Sequence, residues 1–339
     1  MATMLEFATG ADMKLATRKN GTRDGELLVV STDLKIAVSA ASIAPNLLTA
    51  VEQWQRVEAD LQQLSRDLNQ GKAAGFAFNP RDTAAPLPRA PQWLDASAFH
   101  SHGDLLEQVF NKEPLPTKRQ IPLMYQGASD DFLGAEDEVP LPSEADGIDF
   151  EAEVGVIVDH VPMAITATDA TAHIKLLTLI NDLSLRTLAV YELKTGFGFV
   201  QAKSSSSFAP VVVTPDELGD AWRAGRIHLP VHVYWNEREF GHPDAGAMGF
   251  GFEQLVAHGA RTRKLSAGTV IGSGTISNDN YRVVGSGCIA ERRGIEKADN
   301  SPTTTAYMKF GDTVRIEMLR DGQSVFGAIN QRIVEKTYP

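Results

Sequence analysis

Two carboxylates stand two residues apart in the run Ile148-Asp149-Phe150-Glu151-Ala152-Glu153-Val154-Gly155-Val156-Ile157-Val158. The run alternates and is rich in Val and Ile, which predicts a strand. Residues two apart on a strand share a face, so Glu151 and Glu153 point the same way, and Gly155 and Ile157 continue that face. Carboxylates on a buried face must be neutralised, by protonation or by a cation. Asp182 closes a second apolar run, 176–180, which predicts a neighbouring strand. Arg186 comes one helical turn later. Three acids gathered from two adjacent strands form a donor set for one hard divalent cation. Two plainer readings stand beside this one. Glu-x-Glu is also the polar face of a half-exposed strand, and Asp182 is also a cap for the helix after it.

The elements that must hold these residues are set by periodicity. Residues 13–45 read as short strands and turns: 14–17, a hairpin signal at Asn20-Gly21, 26–31 and 33–39. Residues 43–69 read as one helix, with Leu47, Leu48, Val51, Trp54, Val57, Leu61 and Leu64 at three- and four-residue spacings. Pro80, Pro86, Pro88 and Pro91 mark a linker. This divides the chain into a small domain, 13–85, and a larger one, 86–339. In the larger part a helix succeeds His100-Ser101-His102, and Pro-rich loops fill 114–143. A capped helical turn covers 166–173, and a helix over 184–193 begins just after Asp182. A loop occupies 196–207. Residues 209–213 and 228–235 read as strands, 250–258 as a helix, and 269–277, 283–290 and 312–318 as strands. Strands dominate and helices are short, so the expected class is α+β with mixed sheets.

Composition narrows the partners. The chain has 339 residues, 43% of them apolar and 22% charged, as in ordinary globular proteins. The net charge of −11 argues against nucleic acid or an anionic membrane as partner, and no apolar run reaches the length of a membrane helix. Cys288 is the single cysteine, which excludes an internal disulfide or a zinc finger and suits the reducing cytoplasm. Residues 1–12 differ in character from the rest of the chain and are compatible with a leader ahead of a natural start at Met13.

Several segments together resemble the fumarylacetoacetate hydrolase family. Asp149-Phe150-Glu151-Ala152-Glu153-Val154-Gly155-Val156-Ile157 looks like its metal-binding strand, and Asn181-Asp182-Leu183-Ser184-Leu185-Arg186 is similar to its Asn-Asp-x-Ser-x-Arg segment. Lys203-Ser204 with Pro210, and Ser273-Gly274-Thr275-Ile276, resemble its Lys-Ser loop and Ser-Gly-Thr-Ile turn. Asp95, seven residues before His102, and Tyr125-Gln126-Gly127 resemble the longer fumarylacetoacetase type. The resemblance runs over roughly residues 90–292. It implies a β-roll catalytic domain preceded by a small SH3-like barrel, and a homodimer. It implies metal ligands Asp95, Glu151, Glu153 and Asp182, with His102 as base. Glu291, placed after a Gly-rich strand, would orient that base. Lys203 and Arg186 would stabilise an oxyanion, and Tyr125, Arg186 and Thr275 would bind substrate. His100 is the rival for the role of His102.

An all-oxygen site of four carboxylates suits Mg²⁺ or Ca²⁺, with Mn²⁺ also compatible. The implied partner is a small anionic diketo acid. The implied reaction is hydrolysis of fumarylacetoacetate to fumarate and acetoacetate, the last step of tyrosine and phenylalanine catabolism. An acylpyruvate hydrolase, and a decarboxylase or isomerase of a 2-oxo acid, are the alternatives on the same fold. A non-enzymatic protein with a structural Ca²⁺ is a third reading, opposed by Arg186 and Lys203 beside the acids. The chain departs from the fumarylacetoacetase type at Ala189, where that type carries a Gln that helps hold the oxyanion.

Overall fold

A computed structural model describes residues 12–110 and 116–336 of the chain. The leader reading of residues 1–12 therefore falls almost wholly outside the described residues. As expected, the architecture is α+β and strand-dominated, and two sheets carry it. Among the described residues the larger has eleven strands and the smaller six.

The larger sheet is built on the acidic strand. Ala152–Val158 pairs antiparallel with Ile174–Asn181 on one side and with Val270–Gly272 on the other. Every side chain from Ala152 to Val158 is buried, which explains why this stretch of Val and Ile is nearly continuous. Val270–Gly272 pairs in turn with Trp93–Ala96, the parallel neighbour, in the register Gly272 to Asp95. Met124–Gly127 closes that edge antiparallel to Trp93–Ala96. The smaller sheet runs Arg238–Gly241, Val231–Trp235, Thr313–Arg320, Ile329–Glu335 and Val139–Leu141, with Gln323–Ser324 beside Thr313–Arg320. Its inner residues Val231, Val233, Val314, Ile316, Met318, Ile329 and Ile333 join Phe150, Val154, Val156 and Leu179 in one apolar core.

The N-terminal strands do not stand apart as the small barrel that the resemblance implied. Lys14–Arg18, Glu26–Val30, Ile36–Ser39 and Phe76–Ala77 extend the larger sheet, because Lys14 and Leu15 pair with Val213 and Val212. The helix expected over 43–69 is two helices, Leu47–Glu52 and Trp54–Asn69, broken at Gln53. The second buries Trp54, Val57, Leu61 and Leu68, in one apolar cluster with Leu15, Leu27 and Val29.

Several local expectations need correction. The acidic strand is interrupted: Ile148–Asp149 pairs with Ser184–Leu185, and Ala152–Val158 resumes after a break at Phe150-Glu151. Ser184–Leu185 is thus strand, and the helix begins at Arg186 and ends at Thr195. Its cap position is Leu185, so Asp182 does not cap it. Residues 283–290 are not a strand. A helical turn, Tyr281–Val284, precedes the helix Ile289–Ala298, with the Cys288 thiol as its N-cap acceptor. The Pro-rich region 114–143 contains two paired strands, Met124–Gly127 and Val139–Leu141. The strand Ile329–Glu335 gave no sequence expectation. Among the described residues no helix is long and apolar enough to cross a membrane.

Candidate active site

Three carboxylates meet where four strands of the large sheet run side by side. Asp95 comes from Trp93–Ala96, Glu153 from Ala152–Val158, and Asp182 from the residue after Ile174–Asn181. One carboxylate oxygen from each lies within 4.8 Å of the others, and all three side chains are buried. Neighbouring strands lie about 4.8 Å apart, so side chains on one face of adjacent strands reach this spacing without distortion. The intervening strand supplies Gly272. A Cβ there would lie 2.3 Å from Trp93, 2.8 Å from Asp95 Oδ1 and 2.9 Å from Glu153 Oε2, so only glycine leaves the carboxylates their space. Gly274, at φ +76°, turns its N–H toward Asp95 Oδ1 at 3.2 Å and Glu153 Oε2 at 3.1 Å. The other Glu153 oxygen, Oε1, is buried without a hydrogen-bond partner among the described residues. An orphaned carboxylate oxygen in an all-oxygen pocket fits a hard divalent cation.

Glu151 is held at the edge of this cluster by cations. Lys203 Nζ donates to Glu151 Oε2 at 2.6 Å and to Asp182 Oδ2, and so joins the fourth acid to the other three. Arg186 donates through Nη2 to Glu151 Oε1 at 2.5 Å and through Nε to Asp149 Oδ2 at 2.8 Å. Asp149 also accepts the N–H groups of Ile289 and Ala290, at 2.7 and 2.9 Å. A carboxylate at a helix N-terminus is favoured by the unpaired amides and the helix dipole. Asp149 therefore ties the helix Ile289–Ala298 to Arg186 and, through it, to Glu151. The guanidinium of Arg186 is committed to two protein carboxylates, which makes it a holder of Glu151.

The expected base and its orienting acid are brought together. His102 lies in the helix His100–Phe110, and its Nδ1 is 3.7 Å from Glu291 Oε1. Nδ1 is buried and has no hydrogen-bond partner among the described residues. Glu291 is fully buried in the first turn of Ile289–Ala298. The rival His100 is turned away: its ring packs edge-on to Phe250 at 5.3 Å and fills the space over Gly249. Tyr125 donates its hydroxyl to Asp182 Oδ2 at 2.7 Å, and Lys203 Nζ lies 5.6 Å from the centre of its ring. Thr275 comes directly after the Gly274 turn and is buried. Ala189 lies in the helix Arg186–Thr195. Gln201 is exposed, and its backbone N–H donates to Glu192 Oε1 at 2.9 Å.

The electrostatics result from crowding. Burial, and then the charge of Asp182, push the Asp95 carboxyl up to about 8. Burial and then Asp95 hold Glu153 well above the usual carboxylate range. Burial also acts to raise Glu151, but Arg186 and Lys203 outweigh it and hold that carboxyl below its ordinary value. Burial and Asp182 raise the Tyr125 phenol, so it stays a proton donor. The cluster thus carries protons where a divalent ion would carry charge.

Sequence reasoning missed three supporting residues. Asn181 accepts the backbone N–H of Glu151 at 3.2 Å, which fixes that residue at the strand break. Ser206 donates to Asp182 Oδ1 at 2.7 Å. Asp149 reads in the sequence only as part of the strand, and its partners Arg186, Ile289 and Ala290 are too remote along the chain to mark it.

Comparison with known proteins places these residues in context. Residues 92–334 match the family described as fumarylacetoacetate (FAA) hydrolase C-terminal, and residues 13–89 match fumarylacetoacetase N-terminal domain 2. A 2,4-didehydro-3-deoxy-L-rhamnonate hydrolase from a Sphingomonas species is 28% identical over 165 residues, 48% of this chain and 54% of that protein. A human mitochondrial oxaloacetate tautomerase is 27% identical over 165 residues, 48% of this chain and 49% of that protein. The matches to these curated relatives span about half of their length. In fold, a fumarylacetoacetate hydrolase from Exiguobacterium antarcticum covers 96% of this chain and 100% of its own, with TM-score 0.66 at 16% identity. A maleylpyruvate hydrolase from Sphingobium sp. SYK-6, solved with manganese(II) and pyruvate, covers the same shares with TM-score 0.64 at 15% identity.

Proposed function

Because the chain belongs to the fumarylacetoacetate hydrolase family, we propose that it is a divalent-cation-dependent hydrolase of a carbon–carbon bond in a β-diketo acid. Fumarylacetoacetate, cleaved to fumarate and acetoacetate, is the substrate of first choice. The observation that carries this reading is the His102–Glu291 pair, 3.7 Å apart, with His102 within electrostatic reach of Glu151. Hydrolysis needs a base for water, whereas decarboxylation of a 2-oxo acid does not require that pair.

Asp95, Glu153 and Asp182, with Glu151 at their edge, would hold Mg²⁺, Ca²⁺ or Mn²⁺. A bound ion supplies Lewis-acid polarisation of a chelated carbonyl. His102 takes a proton from water, with Glu291 holding the imidazole in the tautomer that leaves Nε2 free for it. The hydroxyl adds to one carbonyl, the carbon–carbon bond breaks, and the proton is returned to the carbon of the leaving enolate. Lys203 faces the developing oxyanion and Arg186 keeps Glu151 in place. Tyr125 and Thr275 orient the substrate with their hydroxyls. We further propose a homodimer in the reducing cytoplasm, with a small anionic diketo acid as the partner molecule.

A second reading is supported by the oxaloacetate tautomerase relatives. In it the same site moves a proton between carbon and oxygen of a 2-oxo acid, with His102 as the shuttle. The test is turnover of fumarylacetoacetate with Mg²⁺, monitored by loss of the diketone's ultraviolet absorbance, in wild type and His102→Ala. General-base catalysis is worth about 10²–10⁴-fold, so a fall of that size is expected. Turnover that survives in His102→Ala removes His102 as base. Wild type that is inert to the diketone but exchanges the C3 proton of oxaloacetate favours the tautomerase.

A further inference from the structure

Glu291 is held by more than its helix. Its Oε1 accepts the hydroxyl of Ser277, and its Oε2 accepts the N–H of Gly287 at 3.3 Å. Ser277 Oγ in turn accepts the hydroxyl of Ser101 at 2.8 Å. Ser101 directly precedes His102, whose Nδ1 faces the same Glu291 Oε1. A chain of hydroxyls therefore runs from the residue beside the base, through Ser277, to the oxygen that serves the base. It joins the helix His100–Phe110, the loop after Val270–Gly272 and the helix Ile289–Ala298.

The middle member is rigid. Ser277 and Glu291 are both buried. The Ser277 carbonyl accepts Asn278 Nδ2 at 2.8 Å. Asn278 also donates to Asp244 O at 2.9 Å and accepts Asp244 N–H at 2.7 Å. A side chain on so fixed a backbone can hold its partner within a fraction of an ångström. A carboxylate oxygen has two lone pairs, so the Ser277 bond leaves one of them for His102.

We propose that Ser277 is a positioning residue that aims Glu291 Oε1 at His102 Nδ1. It acts through Glu291 and touches no reacting atom. The proposal rests on the reading of His102 as the catalytic base, and it adds the group that sets the base's orientation. Without the hydroxyl, Glu291 keeps one fixed oxygen and gains a free rotation about the other. The carboxylate oxygen that faces His102 Nδ1 at 3.7 Å then loses the bond that aims it.

The test uses the full-length protein loaded with Mg²⁺, as wild type, Ser277→Ala, Ser277→Cys and Ser277→Thr. The first readout is turnover of fumarylacetoacetate. Misplacement of a catalytic group by about 1 Å costs up to about 10²-fold. Ser277→Ala is expected to lower kcat by about 10- to 100-fold with little change in KM, and Ser277→Thr, which restores a hydroxyl, to recover most of it. Ser277→Cys keeps the volume with a weak donor, so it serves if the alanine variant does not fold, and a lowered kcat is expected there too. The second readout is the imidazole ¹⁵N spectrum of His102, assigned by the signal lost in His102→Gln. It is expected to move from the Nδ1–H tautomer toward a mixture of the two in Ser277→Ala or Ser277→Cys. This readout needs no substrate, so it decides the proposal even if the diketone is not turned over at all. Wild-type kcat together with an unmoved His102 spectrum in the folded variants overturns it. A lowered melting temperature with both readouts unmoved assigns Ser277 a purely structural role and overturns it equally.

Discussion

Removing the divalent ion while raising the pH should unfold this protein more easily, which reverses the usual behaviour of carboxylates. Asp95 is raised from 3.8 to about 8 by burial and by Asp182, and Glu153 is raised as well. Between those limits the folded chain holds a proton on Asp95 that the unfolded chain has released. The folded state then binds more protons, so stability falls as pH rises. Each unit of displacement is worth about 1.4 kcal/mol, so the interval spans on the order of 5 kcal/mol. Glu151, held below its ordinary value by Arg186 and Lys203, contributes stability that is already complete above its unfolded value, so it adds no slope here. Over the roughly three units from pH 5 to 8, at about 1.4 kcal/mol per unit and about 2 °C per kcal/mol for a chain of this size, the melting temperature should drop by about 8 °C. The assay is thermal unfolding by circular dichroism in a chelating buffer, repeated with millimolar Mg²⁺. With the ion present the protons are displaced and the slope should flatten or reverse. Asp95→Asn, which keeps an acceptor for Gly274, should lose most of the slope. A melting temperature that is flat or rising with pH in chelator refutes the reasoning, as does an unchanged slope in Asp95→Asn.

Other perturbations test the parts separately. Gly272→Ala places a methyl against Trp93, Asp95 and Glu153. It should cost about 1–3 kcal/mol of stability and weaken Mg²⁺ binding in calorimetry. Asp149→Ala leaves Arg186 buried with one partner lost and the helix Ile289–Ala298 without its anion. A loss of about 3–5 kcal/mol in denaturant midpoints is expected, with Asp149→Asn milder. Lys203→Met removes the cation between Glu151 and Asp182. It should lower turnover sharply while Mg²⁺ binding persists, since the ion can neutralise the acids that Lys203 now serves.

The sequence carried the acids because their neighbours were legible. Val and Ile around Glu153 announce a strand, and the apolar run before Asp182 announces its partner. The motifs of Lys203, Tyr125 and the Gly274 turn were readable as motifs. What failed was local geometry set by tertiary contacts. The segment 283–290 is apolar enough to pass for a strand, yet Cys288, an unusual N-cap, starts a helix there. That helix start is stabilised by Asp149, which lies far away in sequence, so no window of residues could reveal it. Glu151 and Glu153 share a face by alternation, but the break at Phe150 sends Glu151 toward Arg186 and Lys203. The hydroxyl of Ser277 gave no signal, because a lone Ser in a loop is ordinary. The N-terminal strands gave their own pairing correctly, but their edge contact with Val212–Val213 depends on residues far down the chain.

The parallel pairing of Trp93–Ala96 with Val270–Gly272 also governs when the protein can take shape. Asp95 and the Gly274 amide that steadies it are 179 positions apart. The amide of Met13 likewise waits for the Thr214 hydroxyl, 201 positions on. Contacts so remote give high contact order and slow folding. During synthesis the N-terminal strands emerge with an open edge that Val212–Val213 later covers, and Asp95, Glu153 and Asp182 emerge before the Gly272–Gly274 backbone that cradles them. A nascent chain shorter than about residue 290 lacks the helix that Asp149 caps, so Asp149 keeps Arg186 but misses the amides of Ile289 and Ala290. The three clustered acids are therefore complete once the strand Val270–Gly272 and the Gly274 turn have joined the sheet, whereas the surround of Asp149 waits for the helix Ile289–Ala298.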